Sequence, residues 1–129
     1  MGNALYKENI VEQSNYRVLV INDSEIELKL YLNGLGQEFD VSFSSNARTA
    51  WELLNSAPLP DAIILDVMTP NEDGLQLCTR IKETQFIQDV PIIFVSSLTG
   101  PTIKSQAFEH GGADFISKPP VMSELIARL

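Results

Sequence analysis

Four short apolar runs in this chain end in residues able to do chemistry. The run RVLVI is followed by Asn22-Asp23, AIIL by Asp66, IIFV by Ser96-Ser97, and DFI by Ser117-Lys118-Pro119. If the runs are neighbouring strands of an open parallel sheet, their carboxyl ends form one edge, which is where such sheets bind ligands. Two carboxylates, a hydroxyl and an ammonium then converge. Asp23 and Asp66 held close together repel unless a cation lies between them, and oxygen donors with few geometric demands suit Mg²⁺ or Mn²⁺. Lys118 and such an ion together neutralise an incoming anion, and Ser96 can donate to one of its oxygens. The residue types describe a phosphoryl site built on an aspartate.

The elements that must position these groups alternate along the chain. RVLVIN (17 to 22), FDVSFS (39 to 44), DAIILDV (61 to 67), VPIIFVSS (90 to 97) and ADFIS (113 to 117) read as strands. Between and after them, SEIELKLYLNGLG (24 to 36), ARTAWELLNSA (47 to 57), DGLQLCTRIKETQ (73 to 85), TIKSQAFEHG (102 to 111) and VMSELIARL (121 to 129) read as helices. Continuous Ile63 to Leu65 and Ile92 to Val95 are what strands covered on both faces require, whereas FDVSFS alternates, as a strand nearer an edge does. In the first helix Ile26, Leu28, Leu30, Leu32 and Leu35 are expected to face inward, with Glu25, Glu27 and Lys29 outward. Ser24, Asn46 and Asp73 are expected to cap the first three helices, and Gly36 and Gly111-Gly112 to stop helices. Pro58 and Pro60 bracket the entry to the third strand. Right-handed crossovers then give a three-layer α/β/α doubly wound domain with a five-stranded parallel sheet.

Composition agrees and excludes other classes. A length of 129 residues with 44% hydrophobic residues supports one domain with its own core. Nine Lys+Arg against seventeen Asp+Glu leave a net charge of −8, which argues against direct binding of nucleic acid or anionic lipid. One cysteine and one histidine exclude an internal disulfide and a structural zinc set, and suit the reducing cytoplasm. No run reaches the roughly 18 apolar residues of a membrane span. The Met-Gly-Asn start lacks the Ser or Thr of a myristoylation signal, having Tyr6 in that place. Residues 1 to 15 are polar and aperiodic and are expected to be a disordered lead-in or linker, with the domain occupying 16 to 129. Its last helix is expected to be cut short, as in a fragment of a longer protein.

VINDSE, ILDVMTPNEDG with Pro70 and Gly74 four and eight residues after Asp66, PIIFVSS and GGADFISKP, taken in order, resemble the receiver domain of two-component response regulators, the CheY-like superfamily. The match runs from about Arg17 to Leu129. The resemblance implies the flavodoxin-like strand order 2-1-3-4-5. It implies that Asp66 is the phosphoacceptor, taking a phosphoryl group from the phosphohistidine of a sensor histidine kinase or histidine phosphotransfer protein in a phosphorelay. It implies that Asp23 is a direct metal ligand, joined by Asp66 and the backbone carbonyl of Met68, and that Lys118 pairs with the phosphoryl group. Lys118-Pro119 is expected to be cis. Ser96 takes the place of the switch hydroxyl, and Phe115 that of an aromatic that swings inward on activation. The implied function is a cytoplasmic signalling switch that needs Mg²⁺ or Mn²⁺ and is no enzyme beyond its own phosphorylation and slow dephosphorylation. The output, fused or separate, would meet the face of the fourth helix, fifth strand and fifth helix, around Ile103 to Ile116. A phosphorylation-dependent dimer is among the assemblies such a domain allows. The GGADFISKP wording is similar to receivers of hybrid sensor kinases and cyclic-dinucleotide regulators.

The sequence departs from the family pattern in places. Asn22 stands where the first member of an acidic pair is usual; it can still offer a carbonyl to a metal-bound water, with weaker Mg²⁺ affinity expected. Pro120 replaces an aromatic. Met68 and Leu98 are apolar where polar residues would place a hydrolytic water, so self-dephosphorylation is expected to be slow. The rival function is a phosphorylation-independent interaction module, a pseudo-receiver, which Asn22 alone favours. A phosphatase of the haloacid dehalogenase kind needs a second aspartate where Met68 stands. Phe115 as a fixed core aromatic, Ser96 as a backbone-bonding hydroxyl, Cys78 as a buried hydrophobe, His110 as a helix-capping cation and Trp51 as a packed ring are the bland readings. Thr69 and Asn71 to Asp73 read as a solvated loop.

Overall fold

The computed structural model describes residues 16–56, 58–67, 74–98 and 100–129. Strands β1 (Arg17–Ile21), β2 (Asp40–Ser44), β3 (Ala62–Asp66), β4 (Ile92–Ser96) and β5 (Asp114–Ser117) alternate with helices α1 (Glu25–Leu35), α2 (Ala47–Ser56), α3 (Gly74–Lys82), α4 (Pro101–Glu109) and α5 (Met122–Arg128). The sheet is parallel throughout, in the order β2-β1-β3-β4-β5. This is the doubly wound, flavodoxin-like arrangement, and the reversal of strand order falls between β1 and β3. The expected lead-in, the Asp73 cap, the Met68 carbonyl and the loop of Thr69 and Asn71 to Asp73 lie outside the described residues.

Strand side chains alternate between two cores. Leu19, Ile21, Ile63, Leu65, Ile92 and Phe94 meet Ala50 and Leu54 of α2, Leu77, Cys78 and Ile81 of α3, and Ala107 of α4. Val18, Val20, Ile64, Ile93, Val95 and Ile116 face Tyr31 and Leu35 of α1 and Leu125 of α5. Every residue of β3 and β4 is buried, which explains their unbroken apolar runs, and β2 lies at an edge, its burial alternating from Asp40 to Phe43 before Ser44 is buried at the strand end.

Helix ends use the expected caps where they are described. Ser24 Oγ accepts from the Glu27 N–H at 3.2 Å, and Asn46 Oδ1 from the Thr49 N–H at 2.8 Å. Gly36 closes α1 in right-handed geometry, and Gly111, at φ 107°, takes the left-handed conformation that follows α4.

The stripe expected on α1 is corrected. Ile26, Leu30 and Leu32 are exposed, and the buried face is Tyr31 and Leu35 with Leu28 half-buried. Positions 26, 28, 30 and 32 repeat every two residues, which is the period of a strand. Residues 28, 31 and 35 follow the helical spacing of three and four. Glu27, expected outward, is turned toward the sheet edge.

Candidate functional site

Asp66 ends β3 with its side chain almost wholly buried, and its Oδ2 accepts from Lys118 Nζ at 2.6 Å. Lys118 follows β5, two strands away, and the Lys118–Pro119 peptide is cis. The β1/β3 register pairs Ile21 with Leu65, so Asn22 and Asp23 leave β1 level with the end of β3. The sequence-predicted Asp66 and Lys118 are therefore in contact, with Asn22 packed into the same corner and Asp23 exposed beside it.

The same ammonium also pairs with a residue that sequence reasoning missed. Lys118 Nζ lies 2.7 Å from Glu27 Oε1 on α1, and that oxygen accepts a second bond from Asn22 Nδ2 at 3.0 Å. A sequence signal for Glu27 existed. Ser24 to Glu27 is the S-x-x-E pattern of a capping box, in which the glutamate returns to the N-cap N–H. Half of the box forms, because Ser24 Oγ takes the Glu27 N–H. The other half is preempted, since the Ser24 N–H donates to Asn22 Oδ1 at 2.9 Å. Glu27 is thereby released from capping and reaches Lys118. Asn22 is 1% exposed, and its amide oxygen, expected at a metal-bound water, accepts this Ser24 bond.

The electrostatics follow from those contacts. Burial opposes ionisation of Glu27, but hydrogen bonds from Lys118 and Asn22 and the lysine charge outweigh it and hold the carboxyl below its usual range. Burial likewise opposes the Lys118 charge, and Asp66 and Glu27 overcome it, raising the ammonium above the ordinary lysine value. Tyr31, one turn after Glu27, has a buried hydroxyl with no hydrogen-bond partner among the described residues. Burial raises its ionisation above the usual tyrosine value, and the charges of Glu27 and Asp66 raise it further.

Two expected switch residues occupy the other half of the edge. Ser96 is fully buried, and its Oγ accepts from the Leu98 N–H at 2.9 Å, a bond that takes a lone pair and not the hydroxyl proton. Phe115 is buried in the core beside Phe94 and Ala107. Gly74, the first residue of α3, packs directly on the site strand: a Cβ there would stand 2.5 Å from the Asp66 carbonyl oxygen and 3.0 Å from Val67 Cα. That close approach accounts for a glycine eight residues after Asp66.

Away from this corner, Cys78, His110 and Trp51 are engaged in packing and helix-end contacts. Burial pushes the Cys78 thiol up to about 11, only partly countered by Lys82, so it behaves as a buried hydrophobe. His110 caps α4 and its Nδ1 pairs with Thr79 Oγ1. Trp51 is half-buried with the Arg80 guanidinium 4.0 Å above its ring. Among the described residues no group of three His, Cys, Asp or Glu side chains is placed to hold a metal ion, and no helix is long and apolar enough to cross a membrane. Among the described residues, the carboxylate oxygens of Asp23 and Asp66 are what the corner offers a cation, with the Glu27 carboxylate held beside them by Lys118. That donor chemistry fits Mg²⁺, which takes one or two protein carboxylates and keeps several waters.

Residues 18–129 match the model of the response regulator receiver domain. Over 114 residues, 88% of this chain, the sequence is 33% identical to the response regulator PleD of Caulobacter vibrioides. The chain spans about a quarter of that relative's length. Among solved structures, a response regulator from Chloroflexus aurantiacus J-10-fl superposes with a TM-score of 0.78 at 29% identity, covering 88% of this chain and 93% of that one. The BeF3-activated DrrB receiver domain superposes with a TM-score of 0.76 at 27% identity, covering 88% and 92%.

Proposed function

The chain belongs to the response regulator receiver domain family, and from that membership we propose that residues 16–129 form a phosphorylation-driven switch with Asp66 as the phosphoacceptor. The observation that carries this reading is the buried ion pair between Asp66 and Lys118 at the carboxyl edge of the sheet. A buried carboxylate next to a lysine is a nucleophile whose product charge is met in advance. An Asp66 oxygen attacks the phosphorus of a phosphohistidine. The P–N bond breaks, its electron pair returns to the imidazole nitrogen, which takes up a proton, and an acyl phosphate remains on Asp66. Lys118 stays ionised and balances the oxygens of the transferred group.

Receiver domains are generally Mg²⁺-dependent. In this chain Asp23 and Asp66, with the Met68 backbone carbonyl and Asn22 through a water, are the residues we assign to holding the ion. When bound, it supplies Lewis-acid neutralisation of the phosphoryl oxygens. Ser96 and Phe115 are assigned to the response: the Ser96 O–H turns toward the phosphoryl group, and the change passes to α4, β5 and α5. The donor is a sensor histidine kinase or phosphotransfer protein, and the reader is a fused or separate output in the cytoplasm. Apolar Met68 and Leu98 make loss of the phosphoryl group slow.

Incubation with a small acyl phosphate donor and Mg²⁺, followed by intact-mass measurement, tests the proposal. A gain of one phosphoryl group that disappears in Asp66→Asn and in chelator is expected. Absence of any gain in the folded protein would overturn it and leave the pseudo-receiver.

A further inference from the structure

The bridge from Lys118 to Glu27 is not explained by helix formation or by packing. Glu27 is diverted from the capping box by the Asn22 side chain, which both occupies the Ser24 N–H and donates to the diverted carboxylate. Its Oε1 then sits 2.7 Å from the ammonium that contacts Asp66 at 2.6 Å. One lysine therefore joins two carboxylates, Asp66 and Glu27.

We propose that Glu27 is an anionic placeholder that occupies Lys118 in the unphosphorylated protein and must be displaced when a phosphoryl group arrives on Asp66. This rests on the reading of Asp66 as the phosphoacceptor. An ammonium has three N–H donors in a tetrahedral array, and two point at Asp66 and Glu27. A phosphoryl group with close to two negative charges has to take Lys118 contacts while Glu27, a like charge on the same nitrogen, stands beside it. Release of Glu27 removes that repulsion. The displaced carboxylate stays on a helix face that also carries Tyr31. From position i+4 the tyrosine points back over the turn of Glu27, with its buried hydroxyl unpartnered among the described residues. Asn22 sets how firmly the placeholder is held. The asparagine found where an acidic residue is usual thus acquires a role: it donates to Glu27, where an aspartate would repel it.

Glu27 is in this sense a positioning residue, acting on the phosphoryl group through Lys118. The test is titration of the full chain with beryllofluoride at saturating Mg²⁺, read by the ¹⁹F signal of the bound anion, for wild type, Glu27→Gln and Glu27→Ala. Both variants are expected to bind about three- to tenfold more tightly, the scale of one partly screened like charge removed. In the metal-free protein, the ¹⁵N resonance of Lys118 Nζ is expected to move in both variants. Asn22→Asp alone is expected to loosen the hold, so that Glu27→Gln adds less in that background than alone. Equal or weaker binding by both folded Glu27 variants, with wild type binding, would overturn the placeholder and leave Asp66 as acceptor. No binding by wild type or any variant would overturn the phosphoacceptor reading itself, and with it this inference.

Discussion

Helices α1 and α3 flank the same strand end and spend their inward faces differently. α3 buries Leu77, Cys78 and Ile81 completely and starts with Gly74 pressed on the Asp66 backbone, so its residues serve packing. α1 buries only Tyr31 and Leu35, turns Glu27 toward Lys118, and leaves Ile26, Leu30 and Leu32 in solvent. One helix turns its whole inward face to the core, and the other places a charge at the site while three of its apolar residues, Ile26, Leu30 and Leu32, remain outside. The consequence is that apolar content alone misjudges how a helix faces: α1 is richer in leucine and isoleucine than α3, yet it contributes less to the core.

Substitutions that delete apolar volume should separate the two helices. The largest effect is expected for Ile81→Ala in α3, where a fully buried side chain is cut back and a cavity left, at a cost of about 2–5 kcal/mol in urea-unfolding free energy. Gly74→Ala comes next. Its new Cβ cannot fit 2.5 Å from a backbone oxygen without moving Asp66 or α3, so a loss of about 1–3 kcal/mol is expected, together with reduced phosphoryl uptake. For α1, Leu30→Ala should change stability by no more than about 0.5 kcal/mol, because the side chain is 55% exposed. A loss comparable to that of Ile81→Ala would show that α1 is a core wall after all.

The thiol of Cys78 sharpens the same contrast without a mutation. With its ionisation raised to about 11, almost no thiolate exists at pH 8, and burial blocks access. Iodoacetamide should label the native protein very slowly at that pH and the urea-unfolded chain readily. The rate in the native state should increase as pH approaches 11, since the deprotonated form is the reactive one.

Much of this was legible in the residues. Ile63 to Leu65 and Ile92 to Val95 could be placed in the sheet centre because burial on both faces removes any need for polar residues. FDVSFS could be placed at an edge because alternation has no other use. The strand ends then brought Asp66 and Lys118 together by topology alone, and a 2.6 Å pair is what results. The inward face of α1 was misjudged because its apolar residues repeat every two positions, and the true stripe is set by Tyr31, whose hydroxyl makes it look like a surface residue. Glu27 was missed for a related reason. Its S-x-x-E context points to a capping box, and only three-dimensional packing shows that Asn22 takes the N–H the glutamate would have used. Residue type and local spacing reveal what a side chain can do near its own helix end, but not that a residue two positions before the N-cap has already done it.

The assignment of the phosphoryl group to Asp66 can be read directly from the covalent chemistry of the protein. The most direct measurement is to phosphorylate the full chain with an acyl phosphate donor and Mg²⁺, reduce the acyl phosphate with borohydride, and locate the reduced residue by peptide mass mapping. Reduction of an aspartyl phosphate converts that side chain to an alcohol, and the account predicts this change at Asp66, with Asp23 and Glu27 unmodified. Reduction at Asp23 or Glu27, or no reduced residue in a folded protein under these conditions, would contradict it.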